Sequence, residues 1–305
     1  MATRNSIQMA TKTKIIFFGN EQLAQGIKAK TPIFEALLAD QNIDICALVL
    51  PKAHVRKPFP ISILAKKHGI EIIEVQKASE LLPIVERLKP DLGVLAAFGK
   101  LVPETVINAI PAGILNIHPS LLPKYRGTTP IETALLNGDV ETGVSIMRLA
   151  KEMDAGNILA QTKVAITAET TKQSLYEELA TLGAKLLLDV IPGALAKNAS
   201  ETAQNGAEAT FTSKLTKDLA LLKPADKAAQ TLYNEVRAYA GFPKSKTILL
   251  NVPCAVTQAH VASQASTELD LLCADGKYLI IDRLLPENSK EMDAKSFLNG
   301  HKKTY

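Results

Sequence analysis

Asn116 and His118 stand two positions apart in Ile114-Leu115-Asn116-Ile117-His118, a run whose other members are apolar. Side chains an even step apart on a strand share a face, so the amide and the imidazole project together. Pro119 follows and, having no N–H, ends the ladder. The pair is therefore expected at the carboxyl end of a strand, where open α/β sheets place their ligands. An amide and an imidazole there can polarise a carbonyl and share a proton. Ser120 has no G-x-S-x-G elbow around it and reads as a loop hydrogen-bonding residue, not a nucleophile.

The elements that must position this pair alternate along the chain. Residues 14–18 form a buried strand ending at Gly19, and residues 20–24 can start a helix. That turn does not open a G-x-G-x-x-G, so no dinucleotide site is inferred. Strands are expected at 43–50, 70–75 and 91–97, and helices at 61–68, 79–88 and 103–109. After the Asn116/His118 strand come a helix at 130–136, strands at 143–149 and 158–166, and a long helix at 173–197. Alternation of this kind argues for a mostly parallel, Rossmann-like α/β sheet covered on both faces. Between the last two strands, residues 150–157 are a turn-prone loop rich in charged and polar groups.

Segment 198–209 is poor in large apolar residues and reads as a linker. Beyond it a helix at 224–240 and four short strand patterns suggest a small β-barrel or sandwich. The expected division is a tail at 1–13, a catalytic domain at 14–197, a linker at 198–212 and a barrel domain at 213–305.

The chain has 305 residues, 47% hydrophobic and 22% charged, with a formal net charge of +4. That mild basic tilt permits an anionic partner without singling one out. Three scattered cysteines, Cys46, Cys254 and Cys273, form no CxxC pair and indicate neither a zinc knot nor a disulfide framework, which suits a reducing cytoplasm. No apolar run approaches a membrane span, and the polar start of the chain lacks the apolar core of a secretory signal.

Asn116, His118, the Ser120-Leu121-Leu122-Pro123 run, Arg126-Gly127, and Asp154 with Gly156 behind it form a specific combination. It resembles the folate-dependent formyltransferases. The likeness extends through Ile16-Phe17-Phe18-Gly19, the segment 137–147, Phe211-Thr212-Ser213-Lys214-Leu215-Thr216-Lys217 and the closing Ser296-Phe297-Leu298-Asn299-Gly300. Among these enzymes the likeness is strongest to those that act on the methionyl initiator tRNA, and an OB-like C-terminal domain is implied.

The resemblance implies transfer of a formyl group from 10-formyltetrahydrofolate to the α-amino group of methionine on that tRNA, by a monomer and without a metal. Asn116 and His118 would stabilise the oxyanion, and Asp154 would orient His118 and assist proton transfer. Folate is expected against Phe98, Gly99, Lys100, Ser120, Leu121, Leu122, Pro123, Met153 and Gly156, with Leu122-Pro123 as a cis bond. Arg56, Lys57 and Arg126 would meet the RNA. Two departures stand out. The basic loop around His54-Val55-Arg56-Lys57 is shorter than the family's, and Gly241-Phe242-Pro243 lies where the family often carries tryptophan. An enzyme formylating an amino-sugar nucleotide would use the same site residues and remains an alternative.

Overall fold

β1 (Thr13–Phe18) lies in the middle of a seven-stranded sheet, and residues 15–18 are apolar and buried on both faces. The computed structural model describes residues 12–52 and 58–301. After β1 come α1 (Pro32–Ala39), β2 (Ile43–Pro51), α2 (Pro60–Lys67), β3 (Glu71–Val75), α3 (Leu81–Leu88), β4 (Leu92–Leu95) and α4 (Glu104–Asn108). Then follow β5 (Ile114–His118), α5 (Pro130–Asn137), β6 (Glu141–Arg148), β7 (Ile158–Ala165) and α6 (Lys172–Leu195).

Strand order is β3-β2-β1-β4-β5-β6-β7, parallel from β3 to β5 and antiparallel over β6 and β7. The order reverses between β1 and β4, which opens a crevice above their carboxyl ends. Strand period splits the core into two layers. Ile15 and Phe17 pack with Ile33, Phe34 and Leu37 of α1 and with Leu175 and Leu179 of α6. Ile16 and Phe18 pack with Leu81 and Val85 of α3 and Val106 of α4. Each such buried side chain contributes about 1.5–3 kcal/mol.

The C-terminal unit comprises α7 (Ala229–Ala238), β8 (Ser245–Leu249), β9 (Val252–Ala262), β10 (Leu271–Leu272), β11 (Tyr278–Pro286), β12 (Met292–Asp293) and α8 (Ala294–His301). Its antiparallel sheet runs β10-β11-β9-β8, with β12 on β11. The expected barrel is a half-barrel. Leu232 and Val236 of α7 and Phe297 of α8 share a core with Val256, Leu279 and Ile281, so helices cover the face that closing strands would otherwise seal. The expected linker is not a free tether either. Thr202 and Ile158 exchange backbone hydrogen bonds at 2.8 Å each, and Arg148 Nε donates to Glu201 at 2.7 Å.

Residues 20–24 do not start a helix. Asn20 closes a tight turn by accepting the Gln22 N–H at 2.9 Å, and Glu21 takes a left-handed φ of 59°. The Glu21 carboxyl group is buried and accepts the backbone N–H groups of Ile33 at 3.1 Å and Phe34 at 2.5 Å. It thus caps α1 from twelve residues away, while Thr31 at the helix start makes no side-chain cap bond. Burial raises the Glu21 carboxyl from 4.5 to about 8, against the pull of those two donors. The folded chain therefore holds a proton between pH 4.5 and about 8 that the unfolded chain has released. The stability this group contributes is complete below that window and is lost as pH rises through it. Thermal unfolding followed from pH 5 to 8 should show a falling Tm, and Glu21→Gln should flatten the slope. The amide accepts from only one of the two donors, so the variant should also start about 1–2 kcal/mol lower. An identical slope in both proteins would remove Glu21 as its source.

Candidate active site

Asn116 and His118 occupy one face at the carboxyl end of β5, and both are buried. The strand is pinned on both sides, with Asn116 opposite Leu95 of β4 and Met147 of β6. The loop after β6 delivers Asp154 in a left-handed conformation, φ 51°. Gly156 is required behind it, because a Cβ there would sit 1.8 Å from the Arg148 carbonyl oxygen.

One Asp154 oxygen accepts the Gly127 N–H at 2.7 Å and lies 3.7 Å from His118 Nδ1. The other lies 3.4 Å from the Asn116 amide nitrogen. His118 Nε2 is 2.9 Å from the Tyr125 carbonyl oxygen. A carbonyl only accepts, so Nε2 carries a hydrogen and Nδ1 faces the carboxylate. The main chain of Tyr125 therefore orients the ring, a task expected of Asp154. The Tyr125 N–H in turn donates to Thr210 Oγ1 at 2.9 Å, and Arg126 exchanges backbone bonds with Thr210 and Thr212.

A cavity of about 770 Å³ opens beside the three residues. Phe98, Gly99, Lys100 and Met153 line it, as do Asn116, His118 and Asp154. Lys100 Nζ is turned to the Gln76 carbonyl at 2.8 Å. Among the described residues no cluster of three or more His, Cys, Asp or Glu could hold a metal ion, and no helix is long and apolar enough to cross a membrane.

The other expected contacts lie behind this wall. Ser120 is buried and donates to the Lys124 carbonyl at 2.5 Å, and Leu122-Pro123 is cis. Ser145 Oγ donates to the Ser120 carbonyl at 2.6 Å and accepts the Leu122 N–H at 3.2 Å. Leu121 packs against Gly143. The segment 120–123 and Gly156 thus brace the cavity without lining it. Arg126 is only 8% exposed, and its guanidinium donates to Gln204 Oε1 at 2.7 and 3.1 Å. It is not presented to a partner. Arg56 and Lys57 fall outside the described residues.

Four participants were not anticipated from the sequence. Gln204 Nε2 donates at 2.8 Å to both the Asp154 and Gly156 carbonyls while its oxygen holds Arg126. Gln25 and Gly26, in the loop before α1, line the cavity. Phe242, from the C-terminal unit, lines it too. Only the glycines at 26 and 241 could have hinted at this approach, and no local pattern marks Gln204.

Residues 48–191 match the family described as "Formyl transferase", and residues 214–302 match "Formyl transferase, C-terminal domain". The chain belongs to the formyl transferase family of enzymes. It is 32% identical to the methionyl-tRNA formyltransferase of Enterococcus faecalis, over 94% of this chain and 96% of that one. Identity to the methionyl-tRNA formyltransferase of Methylococcus capsulatus is 33%, over 94% and 97%. Among solved structures, HypX from Aquifex aeolicus in complex with tetrahydrofolic acid superposes with a TM-score of 0.63 at 16% identity, over 94% of this chain and 47% of that one. The sugar 3N-formyl transferase WlaRD gives 0.64 at 18% identity, over 92% and 99%. At these identities the two structures share the fold.

Gln204→Ala should strip the Asp154 and Gly156 carbonyls and a buried guanidinium of their partner together. A loss of about 1–3 kcal/mol in denaturant unfolding is expected. A loss under about 0.5 kcal/mol would mean those groups find other partners.

Proposed function

We propose that the chain transfers the formyl group of 10-formyltetrahydrofolate to the α-amino group of methionine on initiator tRNA, in the cytoplasm. The convergence of Asn116, His118 and Asp154 on one cavity carries this reading, and similarity to methionyl-tRNA formyltransferases along both domains supports it. The cavity suits a flat heterocycle, with Leu95, Phe98, Val102, Leu149 and Met153 among its lining residues. Folate supplies the one-carbon unit. Phe98, Gly99, Lys100 and Met153 would hold it, with the segment 120–123 and Gly156 shaping the site from behind.

When the amine attacks the formyl carbon, negative charge develops on the formyl oxygen. Asn116 has two amide hydrogens; one faces Asp154, which leaves the other for that oxygen. The imidazole, anchored through Nε2–H, adds a donor at Nδ1 when protonated. Asp154, fixed by the Gly127 N–H, accepts the proton that the amine must lose. As the carbon–nitrogen bond to folate breaks, a proton passes to the departing nitrogen. The amine loses one hydrogen and the folate nitrogen gains one. Arg56 and Lys57 would contact RNA phosphates, while Arg126 serves as a brace.

Asn116→Ala should lower kcat by about 10²–10³ in single-turnover assays. Asp154→Asn should abolish turnover while equilibrium dialysis still shows folate binding. Near-normal turnover in either variant would remove that residue from the mechanism. Substrate choice is decided by offering 10-formyltetrahydrofolate with charged initiator tRNA or with an amino-sugar nucleotide. Formylation of the sugar and none of the tRNA would overturn the assignment.

A further inference from the structure

The loop of residues 19–31 has no regular structure, yet side chains of two helices hold it at many points. Gln173 bonds both the N–H and the carbonyl of Lys28, at 2.8 and 3.0 Å. The Tyr176 hydroxyl lies 2.8 Å from the Lys30 carbonyl and 3.1 Å from that of Glu21. Glu132 of α5 accepts the Gln25 N–H at 2.8 Å. Beside Glu132, the first residue of α6, Lys172, is buried with its Nζ 3.7 Å from Glu132 Oε1. The same Nζ donates to the Phe242 carbonyl at 3.4 Å.

As a stabilising pair this is a poor arrangement. Both charges are desolvated, the separation is long, and Glu132 Oε2 has no hydrogen-bond partner. Burial pulls Lys172 down from 10.5 to about 8 and pushes Glu132 up. What distinguishes the pair is its remaining contacts, which are main-chain atoms of two cavity-lining residues, Gln25 and Phe242. Those two segments also touch directly. A Cβ on Gly241 would sit 1.9 Å from the Gly26 carbonyl oxygen.

We propose that Lys172 is a positioning residue for the amine-substrate side of the cavity, tying the loop before α1 to the 241–243 turn of the C-terminal unit through Glu132. The proposal rests on the formyl-transfer reading. Phe98 and Met153 take the folate side, which leaves Gly26, Thr128, Pro130 and Phe242 as the wall that meets the acceptor.

The double variant Lys172→Met/Glu132→Gln removes both charges and the bond to Phe242, and keeps an acceptor for Gln25. It should raise the KM for charged tRNA about 5–20-fold, with kcat and the KM for folate within twofold. Amide hydrogen exchange at residues 20–30 and 239–244 should rise together. Gly241→Ala parts the same segments with both side chains of the pair unaltered, and should give the same signature if the double variant does not fold. An acceptor KM within twofold of the unaltered chain in a folded variant overturns the proposal. The exchange measurement uses no substrate, so coupled loosening with formylation of a different amine would instead indict the substrate assignment.

Discussion

A carboxylate set among buried groups must be held by donors, and Asp154 is where that requirement is met. The Gly127 N–H reaches one oxygen at 2.7 Å, and the Asn116 amide approaches the other. Gln204 fixes the main chain beneath it. To satisfy one side chain, the structure brings together β5, the loop after β6, the loop after β5 and the segment that leads to the second domain. Each of these contacts spans a long stretch of chain. The Asn116 contact would not survive if β5 and β6 slipped by one residue, since a single step turns Asn116 and His118 to the opposite face.

The second domain is part of this construction and not an appendage. Phe242 reaches the cavity, and the segment 199–212 is paired against β7 and the loop after β5 before the chain enters α7. Thr210 bonds the main chain of Tyr125, whose carbonyl holds His118. Displacement of the segment that leads to the second domain would therefore be felt at the imidazole through Thr210 Oγ1 and the main chain of Tyr125.

Much of this was legible in the sequence. Alternating strand and helix patterns, with an amide and an imidazole two apart before a proline, placed the pair at a strand end. Continuous apolar runs such as residues 15–18 marked the central strands. What escaped were features carried by long-range hydrogen bonds. Residues 20–24 look like a helix start because Asn and Glu favour one, but the Glu21 carboxyl group caps a helix that begins at Pro32. Segment 198–209 looks like a tether because it is polar, yet its polar groups are the ones that grip the Asp154 loop and the end of β6. Arg126 looks like a phosphate ligand until Gln204 is seen to occupy its fork. Composition reports what a side chain could bond, and only the fold decides with what.

The Tyr125 carbonyl fixes the His118 ring so that Nε2 bears hydrogen and Nδ1 faces Asp154. Long-range proton–nitrogen NMR on the histidine-labelled protein tests it directly. In the neutral ring, the His118 signals should report hydrogen on Nε2 and a bare Nδ1. Replacing Tyr125 by phenylalanine should leave that pattern intact, since the contact is to the main chain. Hydrogen found on Nδ1 with a bare Nε2 would contradict the account.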